Sequence, residues 1–312
     1  MGEAELEACR ELVRHHGADS KMRKQVAAAL LQAGALLREL GRPDEAIGAY
    51  ADLVRRFPSG AIAARGFYEL GTTLGEAGRH EDAIAALTAV RGPLAAQALV
   101  RRALELAALG QVDEEIRVYD QVVRNHRDEP EWVGKALFNK ALALERAGRG
   151  PEALGALAAV AERFGEHPDP AVRVAAAQAH VQRGILLTAL DRPIEALDAY
   201  ADATSRDALD PAIREPVVRA FVNTAALLAR LGRPEEAIDV CAGVLDTYRD
   251  ADGAVQAQTR LARELAASLL TRSSRRICGS CLRELTPEDH AVRGLHVACA
   301  ALVSASGAAP SG

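Results

Sequence analysis

The sequence predicts an all-α protein of about six helical hairpins stacked in series, and three observations predict it. The first is a turn written again and again: Gly41-Arg42-Pro43-Asp44-Glu45-Ala46-Ile47, Gly78-Arg79-His80-Glu81-Asp82-Ala83-Ile84, Gly148-Arg149-Gly150-Pro151-Glu152-Ala153-Leu154, Asp191-Arg192-Pro193-Ile194-Glu195-Ala196-Leu197 and Gly232-Arg233-Pro234-Glu235-Glu236-Ala237-Ile238, with a weaker copy at Gly110-Gln111-Val112-Asp113-Glu114-Glu115-Ile116. The second is a composition that is 49% hydrophobic yet only 4% aromatic, with alanine and leucine dominant, as in packed helices rather than sheets. The third is that small and large apolar residues recur in phase with the turn.

Each turn joins two helices for a stated reason. Glycine takes the left-handed conformation that ends the first helix, proline suits the first turn of the second, and the acidic pair faces that helix's positive end. Ahead of the first turn, Ala4 to His16 forms an amphipathic helix through Leu6, Cys9, Leu12 and Val13, a pattern like the second helix Ile47, Tyr50, Leu53, Val54. It reads as a cap on the array or as part of a repeat that begins earlier. From Lys21 the period is explicit. With Gly41 at position 15, Leu30, Ala33, Gly34 and Leu37 fall at positions 4, 7, 8 and 11, and Ala46, Tyr50, Leu53 and Pro58 at 20, 24, 27 and 32.

These residues resemble the tetratricopeptide repeat. Phe67, Leu70, Gly71, Leu74 and Ala83 repeat the pattern, as do Gly184, Leu187, Ala196 and Tyr200, then Phe221, Leu228 and Ala237; in phase, the resemblance covers Ala27 to Arg249. It implies a right-handed superhelical solenoid in which small residues at positions 8 and 20 let paired helices approach and large ones fill the space between hairpins. Turn-to-turn spacings of 37, 32, 38, 43 and 41 depart from the usual unit, about 34 residues. Longer joins are expected at Pro168-Asp169-Pro170 and from Asp210 through Pro216. The third hairpin, Gln97 to Arg127, carries Glu115 where the others have a small residue. The expected organisation is a capping helix or partial repeat over 1–20, the repeat array over 21–252, a closing helix over 253–273, a zinc module over 274–303 and a disordered tail over 304–312. In the closing helix Leu261, Leu265 and Leu269 supply the apolar positions and Arg260, Arg263 and Glu264 the polar ones.

The resemblance also implies a binding face on the first helix of each hairpin, at positions 2, 5, 6, 9 and 12. Position 6 is polar throughout: Gln32, Glu69, Arg101, Asn139, Gln182 and Asn223. Position 2 includes Arg65, Lys135 and Arg219, and Tyr68 and Phe138 interleave as apolar contacts. Such a row is expected to hold a peptide or helix of a protein partner. Leu31 and Ala35 stand where a carboxylate clamp for a chaperone tail needs Lys and Asn, so that partner class is rejected.

Past the array, Cys278 and Cys281 flank a Gly-Ser turn, and His296 and Cys299 share the same two-residue spacing. Four such ligands suit one tetrahedral zinc with no open position, hence a structural zinc able to fold a segment poor in apolar residues. His290 is an alternative to His296. The order resembles treble-clef fingers and the first site of a LIM domain, without that domain's second site. Arg272, Arg275, Arg276, Arg283 and Arg293 make this end basic, but no aromatic is present to stack a base. A protein contact or self-association is therefore favoured over nucleic acid.

A net charge of −5 also argues against a polyanionic partner for the whole chain. No apolar run approaches the ~20 residues of a bilayer span, and the acidic opening Met1-Gly2-Glu3-Ala4-Glu5 is unlike a signal peptide, so a cytoplasmic location is expected. No phosphate loop, HExxH or nucleophile elbow occurs, so no enzyme activity is expected. The rival reading is the sensor part of a larger multidomain regulator or hydrolase.

Overall fold

The computed structural model describes residues 2–205, 210–249, 251 and 253–270. Cys278, Cys281, His290, His296 and Cys299 lie outside the described residues, as do residues 271–312 in general. The chain divides into two compact units, Met1–Ala153 and Leu154–Gly312.

In the first unit, α1 (Gly2–His16), α2 (Arg23–Glu39), α3 (Pro43–Arg56), α4 (Ala61–Glu76), α5 (His80–Thr88), α6 (Ala95–Ala108), α7 (Val112–Asn125) and α8 (Pro130–Arg146) follow one another. Each packs on the next, and α2, α4, α6 and α8 also touch in sequence, so the first helices form one layer. In the second unit are most of α9 (Gly150–Phe164), whose first turn belongs to the other unit, and α10 (Pro170–Ala189), α11 (Pro193–Thr204), α12 (Arg214–Arg230), α13 (Pro234–Thr247) and α14 (Gly253–Leu270). Here α10 and α12 meet, and α14 closes on both α12 and α13. Among the described residues every regular element is helical.

All six turns are the same hydrogen-bonded device. The amide of the residue after the turn residue reaches back to a leucine carbonyl, Arg42 to Leu37 at 2.8 Å, Arg79 to Leu74 at 2.9 Å, Gln111 to Leu106 at 2.9 Å, Arg149 to Leu144 at 2.8 Å, Arg192 to Leu187 at 2.9 Å and Arg233 to Leu228 at 2.9 Å. With the bond from the turn residue itself to the carbonyl three residues back, 2.9 to 3.3 Å, this is a Schellman motif, which satisfies carbonyls a helix end would otherwise leave open. Gly41, Gly78, Gly110, Gly148 and Gly232 hold it at φ of 71° to 77°, and Asp191 holds it at 55°. The leucine at position 11 is thus a core residue by its side chain and an anchor by its backbone.

The core follows the repeat. Ala46, Ala83, Ala153, Ala196 and Ala237 at position 20 are fully buried. Position 24 carries Tyr50, Leu87, Tyr119, Leu157, Tyr200 and Cys241, all buried. The short 32-residue spacing has its cause in α5, which stops after nine residues before Gly92 and Pro93. The long joins begin where expected: Asp169 caps α10 through Ala171 N at 2.9 Å, and Asp210 accepts from Ala212 N at 2.9 Å. The second join is shorter than its prolines suggest, because α12 starts at Arg214 and takes Pro216 into its first turn, where the missing N–H costs no intrahelical bond.

The end helices differ in how well their faces read. In α1, Leu6 and Cys9 pack on Ala33, Leu37 and Ile47, as expected. In α14 the buried stripe is Thr259, Ala262, Ala266 and Leu269, while Leu261 is exposed. Leucines four apart drift around a helix of 3.6 residues per turn, whereas the 3-4-3 spacing of the buried set stays on one face.

Candidate functional site

The first-helix layer of the first unit carries two grooves. The larger, about 1170 Å³, lies between α2 and α4, with Ala28, Leu31, Ala35 and Ile62 as apolar lining and Arg38, Glu39, Arg65, Glu69 and Glu76 as charged lining. The position-9 and position-5 residues Ala35 and Leu31 keep it open and apolar. Arg38 organises its polar end: Nη1 donates to Glu69 Oε2 at 3.1 Å and Nη2 to Glu76 Oε2 at 2.9 Å. Burial alone would lower the Arg38 pKa, but Glu76, with Glu69 behind it, outweighs burial and holds the guanidinium above its ordinary value. Glu69 takes a second cation, Arg65 Nε at 2.6 Å. Two expected site residues, Arg65 and Glu69, are therefore brought together, by each other as much as for a ligand.

The second groove, about 680 Å³, lies between α6 and α8 and is lined by Leu104, Ala107, Glu115, Tyr119, Asn139, Leu142, Glu145 and Arg146. Its floor is an ion pair between a buried carboxylate and a half-exposed arginine. Arg146 Nη2 donates to Glu115 Oε1 at 2.7 Å and Oε2 at 2.8 Å, while Glu115 is 1% exposed. Burial pushes the Glu115 carboxyl up and Arg146 only partly restores it.

The remaining expected residues are engaged in other ways. Tyr68 packs against the cluster of Ala64, Leu87, Val90 and Ala98, and its Oη accepts from Gln97 Nε2 at 2.8 Å. Arg101 Nε lies 2.9 Å from Glu105, a buried carboxylate that also meets His80 Nδ1 at 2.8 Å. Lys135 Nζ sits 2.6 Å from Glu131 and 4.3 Å from the centre of the Trp132 ring. Phe138 is half-buried beside Asn139 on α8. In the second unit, Gln182 and Asn223 sit on α10 and α12, and Arg219 is 3.7 Å from Glu215 on its own helix. Reading positions 2 and 6 alone misses Arg38, Glu76, Glu115 and Arg146. Arg38 was findable, since position 12 belongs to the same face. Glu115 showed only as an exception to the small-residue rule.

Family models described as tetratricopeptide repeat match residues 68–130 and 181–254, and residues 28–60. This is a tetratricopeptide-repeat chain. The matched stretches cover most of α2 with α3, most of the span from α4 through α7, and most of that from α10 through α13, while α8, on one side of the second groove, lies beyond them except for Pro130. Among curated proteins none matches. Solved tetratricopeptide-repeat structures similar to it include YrrB, described as having an unusual peptide-binding site, at 19% identity and a TM-score of 0.44 over 67% of this chain and 97% of that one. Another is a tetratricopeptide-repeat protein from Parabacteroides merdae ATCC 43184, at 14% identity and a TM-score of 0.48 over 82% of this chain and 90% of that one. Tetratricopeptide-repeat proteins act in general through protein and peptide contacts. Among the described residues of this one, no helix is long and apolar enough to cross a membrane.

Proposed function

We propose that this tetratricopeptide-repeat chain is a non-enzymatic docking scaffold that holds a peptide or helix of a partner protein against its first-helix layer. The observation that carries this reading is the α2–α4 groove, whose apolar lining of Ala28, Leu31, Ala35 and Ile62 ends in a charged rim. Apolar side chains of a partner would bury there, and backbone or polar groups would meet Arg38, Glu69 and Glu76. Because Arg38 and Arg65 are already held by carboxylates, a free carboxylate is a poor occupant. The test is a comparison of partners captured by the full chain and by the Leu31→Glu, Ala35→Glu variant, with circular dichroism to verify the fold. Loss of a saturable partner supports the reading; an unchanged partner set overturns it.

The cysteine segment has a proposed role too. Cys278, Cys281, His296 and Cys299 would hold one structural zinc, with His290 as the alternative fourth ligand, and the folded module would offer a second protein contact. Support comes from the paired two-residue spacings. One equivalent of zinc in the purified chain, lost in Cys281→Ser, is the expected result; metal-free protein rejects it. We further propose a cytoplasmic location, in keeping with Cys9 and Cys241 being buried free thiols.

A further inference from the structure

A cluster of cations sits at one edge of the first unit, where α1 ends, α2 begins and α3 ends. Arg14, His15 and His16 form the last turn of α1, Lys21 lies in the short 3₁₀ turn that follows, Arg23 and Lys24 open α2, and Arg55 and Arg56 close α3. The edge is one surface. A β-carbon on Gly17 would stand 2.9 Å from Arg56 Nη1, and the Arg23 guanidinium lies 5.2 Å from the centre of the Phe57 ring. Three acids stand among these cations: Asp52 is shared by Arg55 and Arg56, Glu7 takes Arg14 at 3.2 Å, and Asp19, itself exposed, accepts the backbone N–H of Lys21 at 2.8 Å. Among the described residues no carboxylate pairs with Lys21, Arg23 or Lys24.

The fold accounts for only part of this charge. Arg55 and Arg56 complement the negative end of α3, but Arg23 and Lys24 occupy the first turn of α2, where the helix dipole disfavours cations. Like the first helices α4 and α6, α2 has no acidic residue in its first turn, but of these three it alone opens on two cations. We infer that this edge, Lys21, Arg23 and Lys24 with Arg55 and Arg56, is a docking surface for an acidic segment of a partner protein, distinct from the first-helix groove.

The surroundings select that chemistry. Phe57 is half-buried beneath Arg23, so no aromatic face is free to stack a base, and the chain's net charge of −5 opposes a long polyanion. None of the large exposed apolar side chains lies at this edge, so it lacks what an interfacial helix buries in a lipid surface.

The test uses the full chain and a fluorescein-labelled oligoglutamate peptide, read by anisotropy at low and near-physiological salt. Saturable binding is expected, weakened at least about tenfold and made less salt-dependent by Lys21→Glu with Lys24→Glu. Lys21→Gln with Lys24→Gln should fall between. Arg260→Glu with Arg263→Glu, an equal charge change on exposed α14 positions, should bind as the parent does, and so should the groove variant Leu31→Glu, Ala35→Glu. Equal loss in the α14 variant, no saturable binding, or tighter binding of an oligothymidylate or of anionic vesicles through the same lysines overturns the inference.

Discussion

The ring of Tyr50 occupies the space where Gly34 has no side chain: a β-carbon at Gly34 would stand 2.4 Å from Tyr50 Cε1. The same relationship recurs between Gly184 and Tyr200, at 2.3 Å. In both hairpins a first-helix glycine is exchanged for a second-helix tyrosine, which fixes how closely the two helices approach. Gly34→Ala and Gly184→Ala should each cost about 1–3 kcal/mol by overpacking, since both rings are buried. Gly48→Ala, in a helix with nothing within 4 Å, should instead stabilise, by about 0.5–1 kcal/mol. Urea titrations that gave all three the same sign would contradict this.

Asp191 is a non-glycine residue at positive φ, 55°, in a turn that glycine fills elsewhere. Asp191→Gly should raise stability by about 1 kcal/mol, because the left-handed conformation strains a residue with a β-carbon. Thermal unfolding of that variant beside Asp191→Ala, expected to be the less stable of the two, checks it.

Glu115 and Arg146 should respond unequally to removal. Arg146→Ala leaves a buried carboxylate unpaired and should cost about 3 kcal/mol at neutral pH, whereas Glu115→Ala frees a half-exposed arginine into water and should stay within about 1 kcal/mol of the parent. The Glu115 carboxyl is held above its ordinary value, so its contribution is favourable below the unfolded pKa and is lost as pH rises through the folded one. Glu115→Ala should therefore compare better with the parent at pH 7 than at pH 4. The reverse order in melting temperatures would show that pairing outweighs burial.

The turn carboxylates run the other way. Glu45, Glu152, Glu195 and Glu236 each take two bonds of 2.6 to 2.7 Å from Arg42, Arg149, Arg192 and Arg233, which hold their pKa values below the ordinary one. A depressed carboxylate contributes stability above its unfolded pKa, about 4.3, and loses it as pH falls through the folded value. Replacing all four by glutamine should lower the melting temperature at pH 7, less so in high salt, and the gap should close in acid. A gap independent of pH would assign the effect to packing.

The hairpins were legible because their determinants are local. A glycine or aspartate at the turn, a proline or acid after it, and alanine at position 20 are each read within a few residues, and six copies in phase leave the assignment little freedom. The candidate site was legible only in part. Arg65, Glu69 and Asn139 fall on the expected face, but the cross-hairpin pairs, Arg38 with Glu69 and Arg146 with Glu115, join neighbouring hairpins, and the distance between hairpins is not written in either one. The α14 face was misread at Leu261 for a related reason, since apolar identity does not say which side a neighbour covers.

The sequence by itself determined an all-helical chain of repeated hairpins, with the turn of each helix pair set by backbone conformation and capping. Only the tertiary structure decided that Arg38 and Arg146 in the grooves are spent on carboxylates of neighbouring helices and that three lysine and arginine side chains at one edge are not. Ion pairing depends on the separation of groups far apart in the chain, and that separation exists only once the helices have packed.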